Sequence, residues 1–296
     1  MEKKYKLTDE TVIVDGRTLH RIEALKDFGN VKKGDKGGFI EKEDNLSQSD
    51  NCWVYDNAMV YDNARVCDKA MVYGTARVYD DAVVCDYAQV YDNAKIRNYA
   101  RIYGYATVFE DAEVYHYAKV YDDAKIYGNA VVCENAVVCG CANIYDKAEV
   151  FSYAKVCDYA EVYETARVYG NAKVRGNAMV YGDAVISDNA KVWMDAKVRG
   201  KAKIFDNVRI YDNAKVNGDA VVYGNSEVYN NAEVFGSAEV YGNAMIYGNA
   251  MVCGHAKVCG NAEVYDNGAV YGDGLVYDNA EIYGNREVHG NEKVSE

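Results

Sequence analysis

Between residues 167 and 216 the chain carries ten basic side chains against five acidic ones, while 109–166 and 217–296 run at net −7 and −9. In and beside this belt, Lys155, Lys173, Lys191 and Arg209 recur every 18 residues, and so do Arg175, Trp193 and Tyr211. Lys197, Arg199 and Lys203 belong to the same belt. Clustered cations with an indole among them are suited to holding anions: an acidic protein surface, a phosphate-bearing ligand or a nucleic-acid backbone. The acidic flanks would repel long nucleic acid on either side. Cysteines also recur at this spacing, as Cys67 and Cys85 and again as Cys139 and Cys157. Two stacked thiols can close a disulfide or share a metal, but zinc normally takes four ligands, so no metal site is expected. The four histidines are His20, His116, His255 and His289.

The elements that must position these groups are written in a six-residue word. Stepping by six from Val54 to Val294 lands on Val or Ile 41 times without a miss. Ala stands four residues after each, except at Val208, Ser226, Gly268, Gly274, Arg286 and Glu292. A helix would scatter a period of six around its cylinder. In a strand, Ala and Val two apart share one face, and the residue between them and the following Tyr share the other. The next two letters are mostly Asp, Gly or Asn, which tolerate the left-handed backbone of a corner. Each word is therefore one short strand and one corner, with Val and Ala inward.

The net charge of −13 disfavours a general affinity for nucleic acid or anionic membranes. No apolar run is long enough for a membrane helix, and the charged start "MEKKYKLTDE" has no apolar core of a secretory signal. Nine cysteines, an odd number with no zinc-like CxxC pairs, read as free thiols in a reducing cytoplasm. Single carboxylates in "YDNA" corners lack the dense oxygen cage calcium takes. An ice-binding surface would need ranks of Thr, whereas the outward letters are Tyr, Lys, Arg, Glu and Met.

Aliphatic at the first position and small at the fifth, the word resembles that of the hexapeptide-repeat proteins. Those proteins fold as a single-stranded left-handed parallel β-helix. The resemblance implies triangular coils of 18 residues, about 13–14 of them, forming a rod of roughly 65 Å at ~4.8 Å per coil. Residues 1–53 break the register. "TVIVDGRTLHRI" reads as a hairpin turning at Asp15-Gly16. "DFGNVKKGDKGGFIE", "NLSQ" and "NCWV" resemble the lead-in of the YdcK-like group, whose transferase label is itself inferred from fold. The expected organisation is a capping segment over 1–53 and a solenoid over 54–296. Arg286 and Glu292 at inward positions suit either a guard against end-to-end stacking or a frayed end.

With coils of 18, outward residues fall on three faces. Tyr55, Tyr73, Tyr91, Phe109, Tyr127, Tyr145, Tyr163 and Tyr181 form one aromatic ladder, and Lys155, Lys173, Lys191 and Arg209 one cationic column. The plainer reading of both is structural: ring stacking, and a solvated stripe partly balanced by Asp188 and Asp206. The functional reading is a protein-binding scaffold, or an acidic decoy, docking an acidic or anion-binding partner without a cofactor. The family resemblance offers a rival: acyl transfer from coenzyme A in a cleft between trimer subunits, with His116 as the base. Self-assembly into larger fibres is a third reading.

Overall fold

A computed structural model describes residues 3–295. The chain divides into two compact units, Met1–Asp146 and Lys147–Glu296. Both are all-β parallel solenoids with three sheets, one on each side of a triangular coil.

In the first unit the three sheets pair strands 18 residues apart. Trp53 lies beside Met71 and Met71 beside Gln89 on the first side. Met59 pairs with Arg77 on the second, and Arg65 with Val83 on the third. The second unit repeats this with Glu161 beside Met179, Glu149 beside Arg167 and Lys155 beside Lys173. Hydrogen bonds run from coil to coil, as from Arg65 N–H to Ala82 O at 2.9 Å and from Lys173 N–H to Ala190 O at 2.9 Å.

The inward columns are closed. Val60, Ala64, Val66, Val174, Ala178 and Val192 are all 0% exposed. Burying each Val is worth roughly 1.5–3 kcal/mol, and in a stack of like coils these terms add along the repeat. Ser226 replaces an inward Ala, and its hydroxyl donates to the Tyr223 carbonyl, which spares a buried orphan. Arg286 and Glu292 are exposed in the last words.

The corners explain the abundance of Asp. The first corner residue is left-handed, with φ of +51° at Asp56 and +57° at Asp212. Its carboxylate accepts the corner N–H of the next coil: Asp56 from Gly74 at 3.0 Å, Asp86 from Gly104 at 3.0 Å, Asp158 from Gly176 at 3.0 Å. The second corner residue often builds amide ladders. In the second unit Asn171, Asn189, Asn207 and Asn225 each donate Nδ2–H to the Oδ1 of the next, at 3.0–3.3 Å, and the ladder continues to Asn279.

The N-terminal segment forms strands β1 (Tyr5–Val14) and β2 (Arg17–Ala24), an antiparallel hairpin. Its turn is the expected Asp15-Gly16, with φ of +50° and +78°. Strand β3 (Lys36–Ile40) pairs antiparallel with β2 and parallel with Met59–Val60. Coil geometry thus already exists at β3, in a shifted frame. Ile40, Leu46 and Cys52 are six apart and fully buried, and the inward position then jumps two residues to Val54. That jump is why Ile40 pairs with Val60 and Leu46 with Val66, an offset of 20 rather than 18. Lys4, 1% exposed, ties the segment down by donating to the Cys52 carbonyl at 2.9 Å and the Ser49 carbonyl at 3.2 Å. Among the described residues no helix is long and apolar enough to cross a membrane.

Candidate docking surface and grooves

The third side of the second unit brings seven of the belt residues together. Lys155, Lys173, Lys191 and Arg209 pair in register on successive coils. Beside them, Arg175 lies 5.8 Å from the Trp193 ring centroid, and Trp193 stacks on Tyr211 at 4.7 Å and 7°. The other three are elsewhere. Lys197 is on the first side, beside Met179 and Lys215, and Arg199 on that side approaches the Tyr181 hydroxyl at 3.5 Å. Lys203 is on the second side, between Val185 and Val221. The belt is therefore one compact patch plus cations facing other directions, because an 18-residue coil turns each successive word to a new side.

Ion pairs trim the borders of the belt. Arg209 meets Glu227 at 3.0 Å, Lys215 meets Glu233 at 2.6 Å and Arg167 meets Glu149 at 2.9 Å. Among the described residues, Lys155, Lys173, Arg175 and Lys191 make no ion pair. Asp188, expected to offset them, is engaged at its own corner, accepting from the Ser187 hydroxyl at 2.9 Å and the Asp206 N–H at 3.5 Å.

A depression of about 450 Å3 opens here, lined by Arg175, Lys191, Trp193, Met194, Arg209 and Tyr211 with Asp212 and Glu227. Met194 escaped the sequence reading. It occupies a first-corner position at φ +60° and is 48% exposed. Most first corners hold Asp, Asn or Gly, so a left-handed methionine costs backbone strain there and puts a soft apolar side chain on the surface. The signal was present in the sequence as "VWMDA" where the word elsewhere reads "VYDNA".

Beyond the patch the same side carries a second aromatic ladder. Tyr211, Tyr229, Tyr247 and Tyr265 stack at 4.9–5.0 Å, and Tyr265 meets Tyr283 at 5.4 Å. Its hydroxyls donate diagonally, 16 residues on: Tyr211 to Glu227 at 3.1 Å, Tyr247 to Glu263 at 2.8 Å, Tyr265 to Glu281 at 2.8 Å. Hydrogen bonding to Glu281 pushes the Tyr265 phenol up to about 12. Burial first, then Glu227, raise Tyr211. The same diagonal leads from Arg175 to Lys191 and from Trp193 to Arg209, so in the patch the acceptor is replaced by a cation.

The anticipated first-side ladder is present within each unit, with one correction. Tyr73, Tyr91, Phe109, Tyr127 and Tyr145 stack at 4.8–5.0 Å, and Tyr163 stacks on Tyr181 at 4.8 Å. Tyr55 does not join the stack; it meets Tyr73 edge-on at 86°, beside a groove it shares with Gly29 and Asn30 of the N-terminal segment.

His116 is exposed at a left-handed corner, φ +57°, edge-on to Tyr115 at 4.8 Å. A different histidine lines a groove. Ser237, His255 and Asp273 follow one another 18 apart along one edge, in a depression of about 470 Å3 that also holds Glu239, Lys257, Leu275 and Lys293. Among the described residues no hydrogen bond joins these three side chains. Along this edge the first corners are Gly236, Gly254 and Gly272, so no carboxylate stands over the corner N–H groups of Gly254 and Gly272. On the same edge Thr165 Oγ1 donates to Asp183 Oδ1 at 2.5 Å, which shows that side chains 18 apart there reach each other.

The family model described as the YdcK beta solenoid repeat matches residues 54–68, 124–140, 208–224 and 238–254. A curated relative, "Uncharacterized acetyltransferase YdcK" of Escherichia coli strain K12, is 38% identical over 61 residues, 18% of this chain. The match spans only 19% of that relative's length. A solved structure described as a "putative acetyltransferase from Desulfovibrio desulfuricans G20" aligns over 72% of this chain and 66% of its own, at 11% identity and a TM-score of 0.29. Four stretches of the chain match the YdcK solenoid repeat, all of them within the region written in the six-residue word.

Proposed function

We propose, for a chain built of YdcK-type solenoid repeats, that it is a binding protein whose docking surface is the third side of the second unit. The carrying observation is the set of four cations without ion pairs, Lys155, Lys173, Arg175 and Lys191, around a stacked Trp193 and a strained, exposed Met194. Desolvated aromatics ringed by Arg and Lys are what interface centres are made of. The partner this chemistry fits is an acidic protein surface. The test is capture of partners from lysate by the unmodified chain and by a Lys173→Glu/Lys191→Glu variant. A partner held by the first and released by the second, with affinity falling as salt rises, supports the reading. Retention of every partner by the variant would sink it.

A second reading, acyl transfer, is favoured by one observation: Ser237, His255 and Asp273 share a groove beside glycine corners. Calorimetry with acetyl-coenzyme A decides it. Binding that is lost in His255→Gln supports transfer at this edge. Absence of heat counts against it.

A further inference from the structure

The expectation of no metal rested on two thiols, and the fold supplies a third donor from a corner. On the third side of the first unit, Cys67 and Cys85 stand on adjacent coils at outward positions, with Arg65 paired to Val83 just before them. The carboxylate of Asp68, the corner residue after Cys67, turns back towards them. Cys67 Sγ is 3.4 Å from Asp68 Oδ2, and the ligand atoms of all three residues lie within 4.8 Å of one another.

We propose that Cys67, Cys85 and Asp68 form a binding site for a thiophilic divalent cation, zinc above all, with a fourth position open to water or an incoming ligand. A tetrahedral zinc with sulfur at ~2.3 Å and carboxylate oxygen at ~2.0–2.1 Å has S···O edges of about 3.5 Å and S···S edges of about 3.8 Å. The observed 3.4 Å already matches the S···O edge. The third donor is held in place, because the Asp86 N–H donates to the Asp68 carboxylate at 3.3 Å. Such outer contacts orient metal ligands and tune their affinity. Two sulfurs exclude magnesium and calcium, which take oxygen ligands. The half-buried setting leaves the cation reachable from one side, unlike a closed four-sulfur structural site.

The test is cobalt substitution in the fully reduced chain. One equivalent of Co2+ is expected to give a sulfur-to-cobalt charge-transfer band and tetrahedral d–d bands, both displaced by Zn2+. Cys67→Ser and Cys85→Ser are expected to abolish the charge-transfer band. Asp68→Asn is expected to weaken cobalt binding by at least the roughly tenfold that even an outer-sphere change costs. All three side chains are on the surface of the coil, and far-ultraviolet circular dichroism checks that each variant keeps its fold. The proposal is overturned by the absence of a charge-transfer band in the reduced chain, by a band that survives in Cys85→Ser, or by a Cys67–Cys85 disulfide that mild reductant does not open.

Discussion

Two stretches of the third side in the second unit have the same backbone and opposite surfaces. In coils holding Tyr229, Tyr247 and Tyr265, each ring stacks on the next, and the hydroxyls of Tyr247 and Tyr265 are satisfied by carboxylates on the diagonal. In coils holding Arg175 and Trp193, the diagonal partners are Lys191 and Arg209, and no acceptor stands there. The first stretch is closed on itself and offers a partner little. The second keeps its stacking and, among the described residues, leaves Lys173, Arg175 and Lys191 without ion pairs. Parallel in-register stacking therefore fixes where a side chain stands, while the choice of letter decides whether the surface is finished internally or left open for another molecule.

The largest expected effect comes from making the open stretch resemble the closed one. Trp193→Ala should weaken the partner complex by about 2 kcal/mol or more, roughly thirtyfold, as at interface hot spots. Titration calorimetry with the captured partner reads this. An unchanged affinity would remove Trp193 from the interface.

The closed stretch can be opened by alkali. Tyr265 is held up to about 12 in the fold by its hydrogen bond to Glu281, against about 10 when unfolded. Its contribution is fully present below pH ~10 and is lost as pH rises towards about 12, because the unfolded chain gives up the proton first. Absorbance titration of the phenols should show Glu281→Gln bringing one late-ionising tyrosine back towards the ordinary value. An identical titration curve would mean the diagonal bond does not form.

Met194→Gly should separate strain from function. Relieving a left-handed non-glycine residue should stabilise the chain by about 1 kcal/mol, seen as a higher melting temperature, while partner affinity falls. Lower stability would show that the methionine packs rather than waits. The smallest effect is expected for Glu227→Gln. Losing the exposed Arg209 pair should cost under about 1 kcal/mol, and freeing that cation should strengthen the acidic partner complex slightly. Weaker binding would place Glu227 in contact with the partner.

Much of this was legible in the sequence, and the rest was hidden for identifiable reasons. The Val and Ala columns and the cationic column follow from counting in sixes and eighteens, and the Asp15-Gly16 turn from its Asp-Gly pair between two strand-like runs. The diagonal from Tyr247 to Glu263 does not, since it depends on how outward side chains lean between columns. Nor does the capture of the Gly74 N–H by Asp56, which gives corner aspartates a role beyond tolerating the turn. The earlier frame through Ile40, Leu46 and Cys52 was written in the same period, but a register anchored at Val54 steps over it. Asp68 as a neighbour of two thiols was invisible while corners and outward columns were read separately.

The asparagine ladder has a direction. From Asn171 to Asn279 every amide gives its hydrogen towards the higher-numbered end, so the row behaves like a one-way chain of couplings. An aspartate can receive but cannot pass on. The neighbouring edge already contains such a stop: Asn177 donates to Asp195, and a fresh run begins with Asn213 donating to Asn231. Chemical ageing of a single member, Asn225 becoming aspartate, would strand Asn243 without its donor and leave the amides beyond it free to reverse. The molecule would then carry a record of its age as a boundary between two opposed rows, legible in the amide proton shifts on either side.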